Sequence, residues 1–431
     1  MNSKRLAIFI LLFALILSST FSQIQRTPIG TSSLPANAEV TITLEHRFQQ
    51  NNINPLNVAD VYDTTINSPK SANILDSKNK FYVHSLEGCM TSVYSLNDFK
   101  LIKVIHHKFG KHEQSLFHET TYFDYHFKTR DKNFNYFSGK PVESCFSHDG
   151  RYLWVTYYRR SYDEKAMDPS AVCIIDTETD EIVRVMPTAP LPKMISCSPD
   201  NQTIAVTHWG DNSVGLIDIS GNTVDKFFYK KDIVIDYRMN LNFSANDTID
   251  RDQNCGLCLR GTVFTPDSKY ILVGKMGSNS VGVVDVVNKK YLGSVSGMKT
   301  NMRHLVISNS NLYISINSSG YVQKAPLNDF LTHFNSVKNK QPYKNWQSVF
   351  VGKGARTIVV SPDGKYLFAA VNNMSKIAIV RTHDMKLIAE CKADSYPVGM
   401  DMSSDGQWLI VTAQGKSGGG GNSVMVYKVK Y

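Results

Sequence analysis

Short apolar runs alternate with polar turns along most of this chain. Residues 264–295 read FTPDSKYILVGKMGSNSVGVVDVVNKKYLGSV, with apolar runs separated by TPDSK, GSNS and VNKK. Runs of this kind, bounded by Gly, Pro, Asn, Asp and Ser, are typical of β-strands joined by turns. A sheet of three such strands would have two open edges and little core. The window therefore predicts one part of a larger arrangement of sheets.

The pattern recurs. The segment GSNSVGVVD (277–285) returns as GDNSVGLID (210–218), and the turn TPDSK has full or degenerate equivalents elsewhere. Four strands can be read in most copies, and the basic period is about 42 residues, as from Asp363 to Asp405. This is typical of a β-propeller blade. Seven copies of the turn predict an all-β, seven-bladed propeller of four-stranded antiparallel blades, and the turns are marked by Asn79, Asp149, Asp200, Asp267, Ser310, Asp363 and Asp405.

The last copy lacks its fourth strand. It ends on SVMVYKV, two residues before the C-terminus. Because an unpaired strand edge is costly, we expect an N-terminal segment to supply the missing strand and close the ring. NVADVYDTTI (57–66), directly before the first copy, is the preferred segment, and EVTITLE (39–45), which alternates more cleanly, is the alternative.

The repeats also carry a family resemblance. VSPDGKYLFAAVNN, CSPDNQTIAVTHWGDNSVGLIDI and FTPDSKYILVGKMGSNSVGVVDV resemble the YVTN-type β-propeller repeat of exported bacterial and archaeal proteins, including the YncE-like group. The resemblance covers about residues 70–431 and implies a seven-bladed propeller. It implies little about activity, because propellers host unrelated functions.

The first residues have the pattern of a signal peptide. Lys4 and Arg5 precede an apolar run from Leu6 to Leu17, which is short for a membrane span, and a small-x-small cleavage site follows. We therefore expect an exported protein, periplasmic or extracellular, without a transmembrane anchor and monomeric. The expected divisions are a signal peptide (1–22), an N-terminal extension with the ring-closing strand (23–69) and the propeller (70–431).

Positive charge indicates the kind of partner. The formal net charge is +9, which favours anionic partners. In a propeller the D–A and B–C connections share one face, and every long connecting segment, including 106–140, 228–259 and 333–350, is assigned to that face. Functional loops usually collect on such a face. Strand A begins there, at the channel mouth, and counting seven residues back from each turn gives Ala72, Val142, Lys193, Arg260, Arg303, Arg356 and Val398.

Four adjacent copies thus place a cation at one equivalent position. Lys193, Arg260, Arg303 and Arg356 are the candidate anion-binding residues, although pairing of each with a carboxylate between blades is an equally simple explanation. Aromatic and basic residues occupy B–C loops on the same face and could stack on a base or sugar, or simply pack between blades. These further candidates are Tyr157, Arg159, His208 and Trp209.

Other patterns are weaker. Histidines between 106 and 126 have no known metal-ligand spacing, and Asp250, Asp252 and Asn254 match only half of a calcium loop, so neither a metal nor a cofactor is expected. Cys255 and Cys258 are a candidate disulfide in an exported protein.

The sequence favours a non-enzymatic binding scaffold. Its ligand would be an anion at the channel mouth: a polyanion such as single-stranded nucleic acid, an acidic glycan, or an envelope or surface protein. The alternative is a lactonase-like hydrolase that uses the same mouth, since lactonases of related propeller architecture do so.

Overall fold

The computed structural model describes residues 25–119, 122–123, 125, 127, 133–240, 248–337, 341–415 and 421–431. The signal-peptide pattern, His126 and most of the glycine-rich segment 415–421 lie outside this part. Within it, the strands form a seven-bladed β-propeller of antiparallel four-stranded blades, as the repeats predict. No helix in the described part of the chain is long and apolar enough to cross a bilayer.

The strands follow the chain in blade order. Two N-terminal strands come first: β1 (Thr41–Gln49) and β2 (Asp60–Tyr62). Blade 1 consists of β3 (Pro69–Leu75), β4 (Lys80–Ser85), β5 (Met90–Ser95) and β6 (Leu101–His106). Blade 2 consists of β8 (Phe137–Ser147), β9 (Tyr152–Arg160), β10 (Ser170–Asp176) and β11 (Glu181–Thr188). The two-residue strand β7 (Lys108–Phe109) pairs with β8 and adds a fifth strand at the inner edge of this blade. Blade 3 consists of β12 (Pro192–Cys197), β13 (Thr203–His208), β14 (Ser213–Asp218) and β15 (Phe228–Val234).

The remaining blades complete the ring. Blade 4 consists of β16 (Leu259–Phe264), β17 (Tyr270–Lys275), β18 (Ser280–Asp285) and β19 (Lys290–Ser296). Blade 5 consists of β20 (Met302–Ser308), β21 (Asn311–Ile316), β22 (Tyr321–Pro326) and β23 (Gln347–Phe350). Blade 6 consists of β24 (Ala355–Val360), β25 (Tyr366–Val371), β26 (Lys376–Arg381) and β27 (Lys386–Lys392). Blade 7 consists of β28 (Pro397–Met402), β29 (Trp408–Ala413), β30 (Ser423–Lys430) and β1.

The ring is closed by β1 and not by residues 57–66. β1 pairs antiparallel with β30, from Thr41 opposite Lys430 to Gln49 opposite Ser423. The preferred segment contains only the short β2, which lies outside β1 and pairs with it in parallel. The preference for 57–66 was therefore wrong, and the alternating pattern of 39–45 was the better signal. Alternation matters here because one face of β1 is buried, with Ile42 and Leu44 fully covered.

The SPDG-like turns are held by side chains. In blade 6, Ser361 Oγ donates to Asp363 Oδ1 (2.6 Å) and accepts from the backbone N–H of Tyr366 (3.0 Å). The same carboxylate oxygen accepts from the backbone N–H of Lys365 (3.0 Å). Blades 3, 4 and 7 repeat the hydroxyl–aspartate contact. Ser or Thr followed two residues later by Asp recurs because the pair satisfies backbone groups that the turn leaves without ladder partners.

The core lies between neighbouring blades. In one cluster Val283 of blade 4 packs with Ile314 and Phe330 of blade 5, and all three are fully buried. Apolar residues on both faces of the central strands explain the nearly continuous apolar runs in the sequence.

One connection is helical where the sequence predicts a strand and a long loop. The C–D connection of blade 5 contains α1 (Leu327–Val337), the one α-helix in the described ranges. This connection includes most of 333–350, so that segment lies on the face of the tight turns. The expectation that every long connecting segment lies on the opposite face was therefore wrong for 333–350. The same described ranges contain four short 3-10 helices: Asp76–Lys78, Gln114–Leu116, Val224–Lys226 and Asn372–Met374.

Candidate functional site

Every strand A has a bulge at its channel-mouth end. In blade 4 the pairing of β16 with β17 moves from Leu259 directly to Thr262, so Arg260 and Gly261 stand outside the ladder. All seven blades show a break of this kind. Because a bulge leaves residues unpaired and redirects their side chains, it can present a polar group to the channel without disrupting the sheet.

The first bulge residue is a cation in five of the seven blades. The register shows that Lys70, directly after Pro69, is the blade 1 equivalent of Arg260, and not Ala72 as counting predicts. Counting was wrong because the degenerate turn of blade 1 was aligned on Asn79, whereas Ser77 occupies the place of Asp267. We call the five residues the mouth cations: Lys70, Lys193, Arg260, Arg303 and Arg356.

Hydroxyl groups of strand B hold some of these bulges in place. Thr412 Oγ1 accepts from the N–H of Gly399 in its own blade (3.0 Å) and donates to the carbonyl of Lys70 in the next blade (2.7 Å). Ser315 Oγ makes the same pair of contacts, accepting from the N–H of His304 (3.0 Å) and donating to the carbonyl of Arg356. The backbone of two mouth cations is thus fixed by the preceding blade.

The mouth cations are only partly compensated. Lys193 Nζ contacts Asp252 Oδ1 at 2.5 Å, and Arg260 approaches Glu143 at 4.0 Å. Lys70 donates to the neutral side chain of Gln414 (2.9 Å). Within the described residues, no ion pair reaches the other two, Arg303 and Arg356. Five basic side chains minus these two carboxylates leave three basic side chains without a carboxylate partner.

Burial and mutual repulsion act on these charges. Burial and the Arg356 and Arg260 charges hold the pKa of Lys70 well below its ordinary value. Burial lowers the pKa of Lys193 to about 8, against the opposing effect of Asp252. Burial also raises the pKa of Glu143, an effect that Arg260 and Lys70 oppose. Clustered, partly desolvated cations of this kind are characteristic of sites that bind anions.

A cavity of about 340 Å³ lies along the axis. Its lining includes Glu143, His304 and Thr357, which are the second bulge residues of their blades because each directly follows the first bulge residue. Asn73 and Asp401, further along strand A, also line it. The cavity is at the small end of the range for ligand pockets. Burial lowers the pKa of His304 to about 4, and its Nδ1 accepts from the N–H of Ile358 (3.3 Å), so the ring is neutral near pH 7.

The predicted aromatic platform is not available. Tyr157 and His208 are fully buried, so the expectation that they stack on a ligand is corrected. Trp209 is 5% exposed and lies under Lys193, whose Nζ is 4.2 Å from the indole ring. Arg159 stays partly exposed and lies over the Tyr158 ring, 5.5 Å from its centroid.

The loop that ends at β16 supports Lys193. Asp252 accepts from Lys193, and its backbone carbonyl accepts from the indole N–H of Trp209 (3.1 Å). Asp250 Oδ1 accepts from the N–H of Asp252 (2.9 Å), which makes the half calcium motif an Asx turn. The sulfur atoms of Cys255 and Cys258 are 2.00 Å apart and form a disulfide. No cluster of three or more His, Cys, Asp or Glu side chains suited to a metal ion occurs in the described part.

The sequence did not identify Lys70 as a mouth cation, nor Glu143 and Asp252 as the carboxylates that contact the mouth cations. Glu143 directly follows the predicted position Val142, so comparing the residue after each predicted position in all seven copies would have found it. Asp252 lies on an insertion with no equivalent in other blades, so only the structure brings it to Lys193.

The fold and mouth define a class: a seven-bladed β-propeller whose axial channel opens at a cationic mouth. Residues 175–429 match the family described as "Lactonase, 7-bladed beta-propeller", and the chain belongs to this family. No curated protein matches the chain.

Solved structures with the same fold are distant in sequence. The Kuenenia stuttgartiensis hydrazine synthase aligns with a TM-score of 0.57 at 12% identity, over 87% of this chain and 99% of that one. The Cps50 (Swd1) β-propeller domain of Myceliophteria thermophila aligns with a TM-score of 0.57 at 11% identity, over 84% and 98%. At this identity the likeness concerns the fold alone.

Proposed function

We propose that this protein binds an anionic ligand at the channel mouth. The observation that carries the proposal is the excess of three mouth cations over contacting carboxylates, beside a cavity of about 340 Å³. Gathering like charges in a partly buried mouth is unfavourable unless an opposite charge offsets it. A bound anion would supply that charge.

The size of the cavity favours a small organic anion or the acidic end of a glycan. Single-stranded nucleic acid has less support, because the residues expected to stack on bases, Tyr157 and His208, are buried. We place the protein outside the cytoplasm, as an exported binding protein. The signal-peptide pattern, the resemblance of the repeats to the YVTN type and the Cys255–Cys258 disulfide support this placement.

Titration of an acidic probe tests the proposal. We expect trigalacturonate and glutarate to bind in calorimetry, more tightly at low than at physiological ionic strength. The double variant Arg303→Gln/Arg356→Gln should lose about tenfold or more in affinity and flatten the salt dependence.

The matched control removes the same charge from the opposite face. Lys269→Gln/Lys365→Gln changes two exposed lysines in SPDG-like turns, each beside an aspartate of its own turn. This control should bind like the parent protein. Equal binding by both double variants, or no binding by the parent protein, would overturn the proposal.

Hydrolysis of a lactone is the second candidate function, supported by membership of the lactonase family. Water would add to the ring carbonyl and the ring C–O bond would break, giving a hydroxy carboxylate and a proton. Glu143 or His304 would accept the proton of the attacking water, and Arg260 would stabilise the negative oxygen that forms on the carbonyl.

A pH-stat assay over a panel of aldonolactones distinguishes lactone hydrolysis from anion binding alone. Hydrolysis above the spontaneous rate that disappears in Glu143→Gln would establish the enzyme, and hydrolysis unchanged by that variant would exclude this base.

A further inference from the structure

A line of buried polar groups runs from the interior of blades 1 and 2 to the channel. Tyr157 Oη is 2.8 Å from His107 Nδ1, and His107 Nε2 is 2.6 Å from Thr91 Oγ1. Thr91 Oγ1 is also 2.8 Å from His84 Nδ1. Both imidazoles and the Thr91 hydroxyl are fully buried. None of these groups belongs to the mouth described above.

The line ends at the cavity wall. His84 Nε2 is 2.7 Å from Ser144 Oγ, and the Ser144 hydroxyl donates to Asn73 Oδ1. Ser144 and Asn73 both line the axial cavity. In the described part of the chain, no group accepts a hydrogen bond from Asn73 Nδ2, and Asn73 is only partly buried.

The donor and acceptor of each hydrogen bond in the line follow from the contact at the cavity end, where the Asn73 side-chain oxygen faces Ser144. An amide oxygen can only accept, so the single proton of Ser144 goes to Asn73, and Ser144 Oγ must accept from His84 Nε2–H. His84 is neutral because burial lowers its pKa to about 3, so its Nδ1 accepts from Thr91. The proton of Thr91 is then used, and Thr91 accepts from His107 Nε2–H. His107, also neutral because of its burial, accepts from Tyr157 at Nδ1.

The structure shows the Asn73 oxygen toward Ser144. We infer that this line of hydrogen bonds holds the Asn73 amide in that orientation, with its NH₂ group toward the channel as a donor site for a carbonyl oxygen of the ligand. The inference rests on the proposed function, since it assigns a second contact to a ligand held at the mouth. It narrows the ligand class to organic anions that carry a carbonyl group. Within this line, Ser144, His84, Thr91, His107 and Tyr157 are positioning residues, and Asn73 is the member that contacts the ligand.

A matched pair of dicarboxylates isolates the second contact. 2-Oxoglutarate and glutarate have the same two carboxylates, and only the former has a ketone. We expect the parent protein to bind 2-oxoglutarate about five- to tenfold more tightly than glutarate, the value of one neutral hydrogen bond. Asn73→Leu removes the donor and should abolish the preference, so that 2-oxoglutarate binds no more tightly than glutarate.

Thr91→Val tests the positioning role. It replaces a hydroxyl by a methyl group far from the ligand and interrupts the line, so the preference for 2-oxoglutarate should fall although no lining residue changes. The control is Thr382→Val, which removes a buried hydroxyl bound to the carbonyl of Gly364 in blade 6. This control should keep the full preference.

The outcomes separate the two proposals. Equal affinity of the parent protein for both dicarboxylates overturns the donor site and leaves the anion-binding mouth standing. Failure of both compounds to bind overturns the proposed function and this ligand class together. Nitrogen-15 NMR of the imidazoles gives a readout independent of binding: His84 and His107 should both be Nε2–H tautomers in the parent protein. An Nδ1–H tautomer at either histidine overturns the stated direction and the inference with it.

Discussion

Arg47 and Asp394 are 347 positions apart and form a buried ion pair, with 3.2 Å between Arg47 Nη1 and Asp394 Oδ1. Arg47 lies on β1, and Asp394 follows the last strand of blade 6. The guanidinium also contacts Asp60 and the carbonyl of Thr27, while Asp394 accepts from Ser423 on β30. One cluster of charges therefore joins the N-terminal segment, the C-terminal strand and the neighbouring blade.

Removing the cation of this cluster should be strongly destabilising. Arg47→Met leaves Asp60 and Asp394 buried without their partner, for which we expect a loss of about 3–5 kcal/mol in the free energy of unfolding. Urea unfolding followed by tryptophan fluorescence measures the loss. The control Arg381→Met breaks more exposed contacts with Glu39 and Asp384 and should change stability much less. Equal effects of the two variants would show that the buried cluster has no special role in closing the ring.

The two N-terminal strands should differ in their contribution to stability. Leu44→Ala in β1 removes a fully buried side chain from a core cluster and should cost about 2–5 kcal/mol. Val61→Ala in β2 removes a half-buried side chain at the sheet edge and should cost clearly less. Thermal unfolding of both variants gives the comparison. The reverse order would favour 57–66 as the ring-closing segment after all.

Anion binding should weaken as pH rises through the pKa of Lys193. Burial places this pKa at about 8, so Lys193 is charged at pH 7 and neutral at pH 9. Its loss of charge leaves Asp252 to repel the ligand, so the affinity for trigalacturonate should fall over this interval. Lys193→Arg keeps the cation throughout and should flatten the pH profile. An unchanged profile in this variant would assign the pH dependence to another group.

The cysteines give a chemical check on the loop that supports Lys193. Cys255 and Cys258 are bonded, and Cys89, Cys145, Cys173, Cys197 and Cys391 are free thiols. Unfolded protein prepared without reductant should therefore show five reactive thiols, and all seven after reduction. Seven thiols before reduction would mean that the pair is not oxidised in the isolated protein.

The fold was predictable because the repeat is local. Each SPDG-like turn satisfies its own backbone within a few residues, so the same letters recur wherever the same turn forms. Errors arose where the local pattern is degenerate: the shortened turn in blade 1 shifted the count from Lys70 to Ala72. In blade 5, Leu327, Phe330, Leu331 and Phe334 follow helical spacing, a signal that the expected strand obscured.

The site was predictable only in part, because it is assembled from different blades. Repetition places Lys193, Arg260, Arg303 and Arg356 at one level of the channel. Whether each is paired depends on residues without a repeat equivalent, such as Asp252, and on contacts across the axis, such as Glu143 with Arg260. The burial of Tyr157 depends in the same way on the insertion that contains His107.

The pairing of β1 with β30 has a consequence for biosynthesis. A ribosome makes β1 before blade 1 and its partner β30 only after blade 6, although Thr41 faces Lys430 in the folded protein. Blades 1 to 6 have all four of their strands in one continuous stretch and can form as they emerge, but β1 has no antiparallel partner until β30 has been made. The nascent chain must leave the buried face of β1 uncovered while blades 1 to 6 are made, which makes β1 the natural site for a chaperone to protect.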